Sequence, residues 1–203
     1  RKQMIVIGAS GHAKVILNIL SLCGVQVTSL YDDDASIQKL NGVNVTSPIS
    51  SIPIGSSCVF AIGNNTIRKQ LVEKHLSFKP QTIKHPESVI DDSVKFGEGT
   101  VVMASATINN DTSIGNHCII NTSASIDHDC KIDDYVHISP GAVLCGGITV
   151  GQGSQVGANS VIVQNKSIGK WATIGAGSVI IKNVPDYAIV VGNPGKIIGY
   201  NEK

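Results

Sequence analysis

Every sixth residue from Ile90 to Ile180 is large and apolar: Ile90, Phe96, Val102, Ile108, Ile114, Ile120, Ile126, Ile132, Ile138, Leu144, Val150, Val156, Ile162, Ile168, Ile174 and Ile180. With 42% of the chain apolar, such a run arises by chance on the order of once in a million for one phase. Four places after these positions the residue is small, as at Thr100, Ala106, Thr112, Cys118, Ala124, Cys130, Ala142, Ser154, Ser160, Ala172 and Ser178. Gly often follows the aliphatic residue directly, as at Gly97, Gly115, Gly151, Gly157, Gly169 and Gly175. A period of six is foreign to the α-helix, which repeats every 3.6 residues. It suits a short strand with one large and one small inward side chain, followed by a corner. Three such sides close a coil of about eighteen residues. Coils stacked at the ~4.8 Å strand spacing give a prism roughly 25 Å long.

This pattern is that of a hexapeptide β-helix, and it resembles the hexapeptide-repeat acyltransferases. The resemblance implies a left-handed parallel β-helix, against the usual right-handed crossover rule. It also implies a homotrimer with active sites in the grooves between subunits.

The preceding residues follow another rule. Met4 to Ile7 is a short β-forming run, followed by Gly8-Ala9-Ser10-Gly11-His12 and by Val15, Ile16, Ile19, Leu20 and Leu22 at helical spacing. Val25 to Tyr31 reads as a second strand ending in Asp32-Asp33-Asp34, and Cys58 to Ile62 as a third. Gly63-Asn64-Asn65 then leads into a helix around Ile67, Leu71 and Val72. Strands alternating with helices predict a small Rossmann-like α/β unit with a parallel sheet. The expected division is 1–85 for this Rossmann-like domain, 86–193 for the β-helix domain and 194–203 for a C-terminal tail.

Ligands on such sheets sit beyond the carboxyl ends of the strands, where the three polar or Gly-rich loops gather. Glycines allow close backbone approach, a helix N-terminus holds phosphate, and Asp32 and Asp33 can accept hydrogen bonds from a base or ribose. Asp34 reads as a solvated turn. The dinucleotide fingerprint G-x-G-x-x-G is absent, which argues against NAD. Ala9-Ser10-Gly11-His12 and Ala61-Ile62-Gly63-Asn64-Asn65 with Arg68 resemble the N-terminal domain of bacterial UDP-4-amino-sugar N-acetyltransferases. That resemblance implies Ser10, Gly11, His12, Asp32, Asp33 and Gly63 as contacts to a nucleotide-sugar.

Composition narrows the remaining classes. A formal net charge of +1 offers no basic face for nucleic acid, and no apolar run approaches the ~18 residues of a membrane span. The basic opening Arg1-Lys2-Gln3 leads directly into a strand-like run rather than a secretory leader. Five scattered cysteines with no C-x-x-C pair point to a reduced, cytoplasmic protein.

Of six histidines, His75 and His85 read as structural or solvated, and His117 as an exposed corner. His128 stands two places after inward Ile126, facing outward, in Asn121-Thr122-Ser123-Ala124-Ser125-Ile126-Asp127-His128-Asp129-Cys130. One coil later come Gly146 and Gly147, so the space beside the imidazole is cleared for a thioester arm. Neutral imidazole can take a proton from an attacking amine or hydroxyl, and a neighbouring carboxylate can orient it. The stretch resembles the active-site coil of the same N-acetyltransferases. There the histidine is the base and the next carboxylate, often Glu but here Asp129, raises its basicity. The resemblance further implies that His137, Gly146, Ala158 and Ala176 contact acetyl-CoA, the expected co-substrate. Val191-Gly192-Asn193-Pro194-Gly195-Lys196 resembles the closing loop of many such enzymes, with Lys196 read as solvated. Cys118 and Cys130 lie in the small inward phase. Cys145 sits at a corner one coil above Asp127 and is the candidate nucleophile of a ping-pong route, which direct attack on the thioester makes unnecessary.

These readings converge on acetyl transfer from acetyl-CoA to a nucleotide-linked, UDP by resemblance, 4-amino-4,6-dideoxy sugar. The alternative is O-acetylation of sialic acid or a related sugar. A zinc hydratase would call for closely spaced histidines of the H-x-x-x-x-H kind, so no metal is expected. A non-catalytic scaffold would have no use for the cleared Gly146-Gly147 coil.

Overall fold

The computed structural model describes residues 3–202; Arg1 and Lys2 of the basic opening, and Lys203, lie outside the described residues. The chain divides into two compact units, 1–86 and 87–203.

The N-terminal unit is a six-stranded sheet in the order β3-β4-β2-β1-β5-β6. Its elements are β1 (Gln3–Ile7), α1 (Gly11–Leu22), β2 (Gln26–Tyr31), β3 (Lys39–Leu40), β4 (Val43–Thr46), β5 (Ser57–Phe60), α2 (Asn65–Lys74) and β6 (Lys79–Pro80). β1 is central, pairing in parallel with β2 and β5. Its Met4, Val6 and Ile7 are buried, as are Cys58, Val59 and Phe60 of β5, the continuous apolar pattern of strands covered on both faces. α1 buries Ala13, Ile16, Ile19 and Leu20, whereas Val15 and Leu22, read as part of the same stripe, are exposed. Only β3 runs antiparallel, in a short hairpin with β4.

The second unit is a parallel β-helix. Sixteen two-residue strands, from Val89–Ile90 to Val179–Ile180, each pair with the strand eighteen residues away, as Thr107 with Ser125 and Ile108 with Ile126. The large apolar residues from Val102 onward are buried in one core with the small inward residues between them. Several buried hydroxyls reach the neighbouring coil: Thr100 Oγ1 donates to the Gly115 carbonyl at 2.8 Å and Ser154 Oγ to that of Gly169 at 2.6 Å.

Each corner is a tight turn whose second residue is left-handed. From Gly99 to Gly177, the residue three places after every large apolar position has φ between 52° and 72°. Among them are Ser105, Ser123, Tyr135 and Trp171, residue types for which this conformation is uncommon. From Ser105 onward the amide at each of these corners donates back to the coil below, as Asp129 N to the Asn110 carbonyl at 3.0 Å and Gly147 N to that of His128 at 2.9 Å. Ladder and corner bonds thus both run between coils, and each coil templates the next.

The C-terminal residues read as a tail form a strand, Lys196–Tyr200, antiparallel to Ala188–Val191. His117, read as an exposed corner, is buried at 2% exposure. Its ring stacks on Tyr135 one coil above, with centroids 5.4 Å apart, and leans over Gly99 one coil below.

Candidate active site

The corner after Ser125–Ile126 carries Asp127, His128 and Asp129 outward. His128 Nδ1 lies 2.7 Å from Asp129 Oδ2. The left-handed backbone at Asp129, φ 56°, is what lets adjacent side chains meet in this way. The other ring edge faces Gly146 one coil above, where a Cβ would stand 2.7 Å from both Cε1 and Nε2. An open recess of about 430 Å³ is lined by Asp127, His128, Asp129, Gly146 and Gly147, with Cys145, Gln164 and Asn165 beside them. The hydrogen bond donated to Asp129, then the charge of Asp127, push the imidazole above its ordinary value of 6.5.

Asp127 and Asn109 were not singled out in the sequence. Asp127 Oδ1 accepts both the His128 N–H at 2.9 Å and Asn109 Nδ2 at 2.8 Å. These bonds, that of Asn109 foremost, hold the Asp127 carboxyl below the usual carboxylate range. The signal was available, since Asn109 precedes Asp127 by one eighteen-residue coil. Cys130, buried by the core, has its thiol pushed up; its Sγ–H faces the Cys145 carbonyl at 3.3 Å.

The other expected acetyl-CoA contacts stand elsewhere on the prism. His137 opens the strand His137–Ile138 on a different face and its Nε2 is 3.0 Å from Asn121 Nδ2. Ala158 and Ala176 stack on the corner at the end of that face, the first half-buried and the second exposed. One chain therefore groups Gly146 with His128 and Asp129, and His137 with Ala158 and Ala176, on separate corners.

In the N-terminal unit the loops at the carboxyl ends of β1, β2 and β5 are fastened together. Gly8 N donates to the Tyr31 carbonyl at 2.7 Å and Ala61 N to that of Ile7 at 2.6 Å. Gly8 has φ 102°, and a Cβ there would lie 2.7 Å from Ile62 Cδ1. Asp32 clasps its loop to the next: Oδ2 takes the Ala9 N–H at 2.8 Å and Oδ1 that of Asp34 at 2.9 Å. Asp33 Oδ1 takes the Ile49 N–H at 2.9 Å. Asp34 closes a local turn onto Ser36. Ser10 caps α1 by position with its hydroxyl uncommitted, and the Cβ directions at Gly11 and Gly63 meet nothing within 4 Å. Arg68, 1% exposed, donates to the Ile62 carbonyl at 2.8 Å and to Asn65 Oδ1 at 2.7 Å. Burial first, and the Arg68 charge second, lower His12 to about 4. His12 is therefore neutral at pH 7, and its buried Nε2 has no partner within the described residues.

Comparison with known proteins matches residues 3–75 to the PglD N-terminal domain and residues 111–146 and 129–164 to the bacterial transferase hexapeptide (six repeats). No curated protein matches the chain. Among solved structures, perosamine N-acetyltransferase from Caulobacter crescentus, in complex with CoA and GDP-perosamine, is 34% identical over 97% of both chains, with a TM-score of 0.91. The acetyltransferase domain of PglB from Neisseria gonorrhoeae, in complex with acetyl coenzyme A, is 35% identical over 98% of this chain and 100% of that one, with a TM-score of 0.90. WeeI from Acinetobacter baumannii is 30% identical over 98% and 100%, with a TM-score of 0.87.

The chain belongs to the hexapeptide-repeat sugar acetyltransferases. It is an acetyl-CoA-dependent sugar N-acetyltransferase, and its prism is the left-handed β-helix of that family. No group of three or more potential metal ligands occurs among the described residues of this acetyltransferase, and no helix among them is long and apolar enough to cross a membrane.

Proposed function

We propose that this acetyltransferase N-acetylates a UDP-linked 4-amino-4,6-dideoxy sugar by direct attack of the sugar amine on acetyl-CoA, with His128 as general base. The observation that carries the mechanism is the His128–Asp129 pair beneath Gly146. Asp129 holds one ring nitrogen at 2.7 Å, so Nε2 is the nitrogen turned to the open recess. Nε2 takes a proton as the C–N bond forms, Asp129 stabilises the imidazolium, and the proton passes to the CoA sulfur as the C–S bond breaks. Cys145 needs no part in this route.

The nucleotide is assigned to the loops of the N-terminal unit. Ser10, Gly11 and the neutral His12 at the start of α1 offer donors to the diphosphate, and Gly63 leaves room beside them. Asp33 has one oxygen committed to Ile49 and one open. A single open acceptor suits the lone N3–H of uracil better than the two-donor edge of guanine. Both oxygens of Asp32 are engaged, so its role is to hold the loop. The relative from Caulobacter crescentus has GDP-perosamine bound, which makes the base the point to test.

We assign acetyl-CoA to Gly146 together with His137, Ala158 and Ala176. Because these lie on separate corners of one prism, a homotrimer that sets the His128 corner of one subunit against the His137 face of the next would complete the site. Exposed Val143 and Ile181 give such packing apolar surface. With five free cysteines among the described residues, the enzyme is assigned to the cytoplasm.

The test is thiol release from acetyl-CoA with the UDP-amino sugar, its GDP counterpart, and free or CMP-linked sialic acid. Fast turnover on the UDP-amino sugar, lost in His128→Ala, is expected. Turnover on the GDP sugar alone would overturn the base assignment, and turnover on sialic acid alone would move the acceptor to a hydroxyl. Full activity in His128→Ala would overturn the mechanism.

A further inference from the structure

Asp127 has no part in the mechanism above, yet it lines the same recess as His128 and its geometry is tightly controlled. One oxygen, Oδ1, is fixed from two directions, by the backbone N–H of His128 and by the Asn109 amide from the coil below. Among the described residues, Oδ2 accepts no hydrogen bond. Asp129 also has one oxygen engaged, but its partner is the imidazole itself, so its charge is already paired with the base.

The recess carries no cation to balance these acids. From its own corner it receives Asp127, His128 and Asp129. The coil above contributes Cys145, Gly146 and Gly147, and the next coil Gln164 and Asn165; from the coil below the uncharged Asn109 reaches Asp127. Two carboxylates with one imidazole leave the recess negative in either protonation state of His128. A neutral hydroxyl gains little from that field, whereas an alkylammonium is attracted by it. Selectivity between acceptors is a difference of affinities, and a second carboxylate beside the base supplies one.

We propose that Asp127 selects an amine acceptor: its open oxygen pairs with the protonated amino group of the sugar and presents that nitrogen to His128. This rests on the function proposed above and deepens it from the acceptor's side. Proton balance follows directly. The bound ammonium releases one proton through neutral His128 to solvent, giving a nitrogen with a lone pair. As the C–N bond forms, a second N–H proton moves to Nε2, and it goes to the sulfur as the C–S bond breaks. The products are the amide, CoA thiol and one proton in solution. Asn109 is a positioning residue here, holding the carboxylate without neutralising it.

Asp127→Asn keeps an acceptor for Asn109 and for the His128 N–H while removing the charge. Binding is measured without acetyl-CoA, comparing the UDP-4-amino sugar with its 4-hydroxy counterpart, alongside KM and kcat for thiol release. Wild type is expected to prefer the amine, and the preference should fade as pH rises through the amine's own pKa. In Asp127→Asn the preference falls by about tenfold, the size expected of one charge-assisted bond at a partly solvated site, while KM for acetyl-CoA holds. Asp127→Glu restores part of it. An unchanged amine preference in Asp127→Asn overturns the proposal, even if kcat drops, because that pattern belongs to a residue acting only through the His128 backbone. Wild type that turns over the amino sugar but binds both sugars equally also overturns it, leaving the His128 mechanism intact. Wild type inactive on every amino sugar overturns both.

Discussion

Gly146 stands one coil above His128, and a Cβ at that position would lie 2.7 Å from both Cε1 and Nε2 of the imidazole. The ring and the missing side chain occupy the same space, so the glycine sets where the base can sit. The ring is the mobile end of a side chain 59% exposed, and in Gly146→Ala it can swing outward. Stability should therefore change by less than about 1 kcal/mol, while kcat falls ten- to a hundredfold as the bond to Asp129 is lost. Thermal unfolding beside turnover checks this. A variant that loses activity only because it unfolds would contradict the steric reading.

Asp129→Asn tests the pair from its other side. The base works when neutral, so kcat/KM rises with pH through the His128 pKa, which lies above 6.5 in the wild type. Replacing the carboxylate by an amide weakens the hydrogen bond that is the first cause of that elevation and removes the smaller contribution of the Asp129 charge, so the midpoint should move to lower pH with a lower plateau. The Asp127 charge remains and keeps part of the shift. A pH–rate profile whose midpoint stays in place would assign the titration to some other group.

His12 gives the N-terminal unit its own pH dependence. Its folded-state pKa of about 4 lies below the ordinary 6.5. Between those limits the unfolded chain binds a proton that the folded chain does not, so stability falls as pH drops from about 6.5 to about 4. The loss tends toward about 3 kcal/mol at the lower end. His12→Asn should flatten this slope. Urea unfolding of both proteins at pH 7 and pH 4.5 reads it, and equal slopes would place the burial penalty elsewhere.

The period of six made the prism legible because one inward phase must be apolar at every step, whatever the corners do. Corner chemistry was less visible. The left-handed positions hold His117, Asp129, Tyr135 and Trp171 as well as glycines, so composition does not mark them. The burial of His117 leaves no mark along the chain, because its cover comes from Tyr135, eighteen residues ahead, and its space from Gly99, eighteen behind. Each was legible only by reading down a column instead of along the chain. Asn109 escaped for the same reason. The β3–β4 hairpin has strands of two and four residues, and the single alternation of Val43 and Val45 is too short to leave a periodic trace. The place of Asp32 at the end of β2 is legible in the sequence, but its clasp to Ala9 depends on how closely the two loops approach, which no spacing encodes.

Thr112 lies under the active corner and joins it to the core. The residue is 1% exposed. Its hydroxyl donates to the Asp127 carbonyl at 3.0 Å and accepts the Cys130 N–H at 3.2 Å, bracketing His128 in the chain. Thr112→Val keeps the shape but leaves a buried amide and a carbonyl without that partner, which costs about 1–3 kcal/mol. Thr112→Ser keeps the hydroxyl and loses one methyl, about 1 kcal/mol. Chemical denaturation of the two variants separates the terms. If Val proved as stable as Ser, the inward hydroxyl would be packing material only, and the hold on the His128 corner would come from the coil ladder and from Asn109 alone.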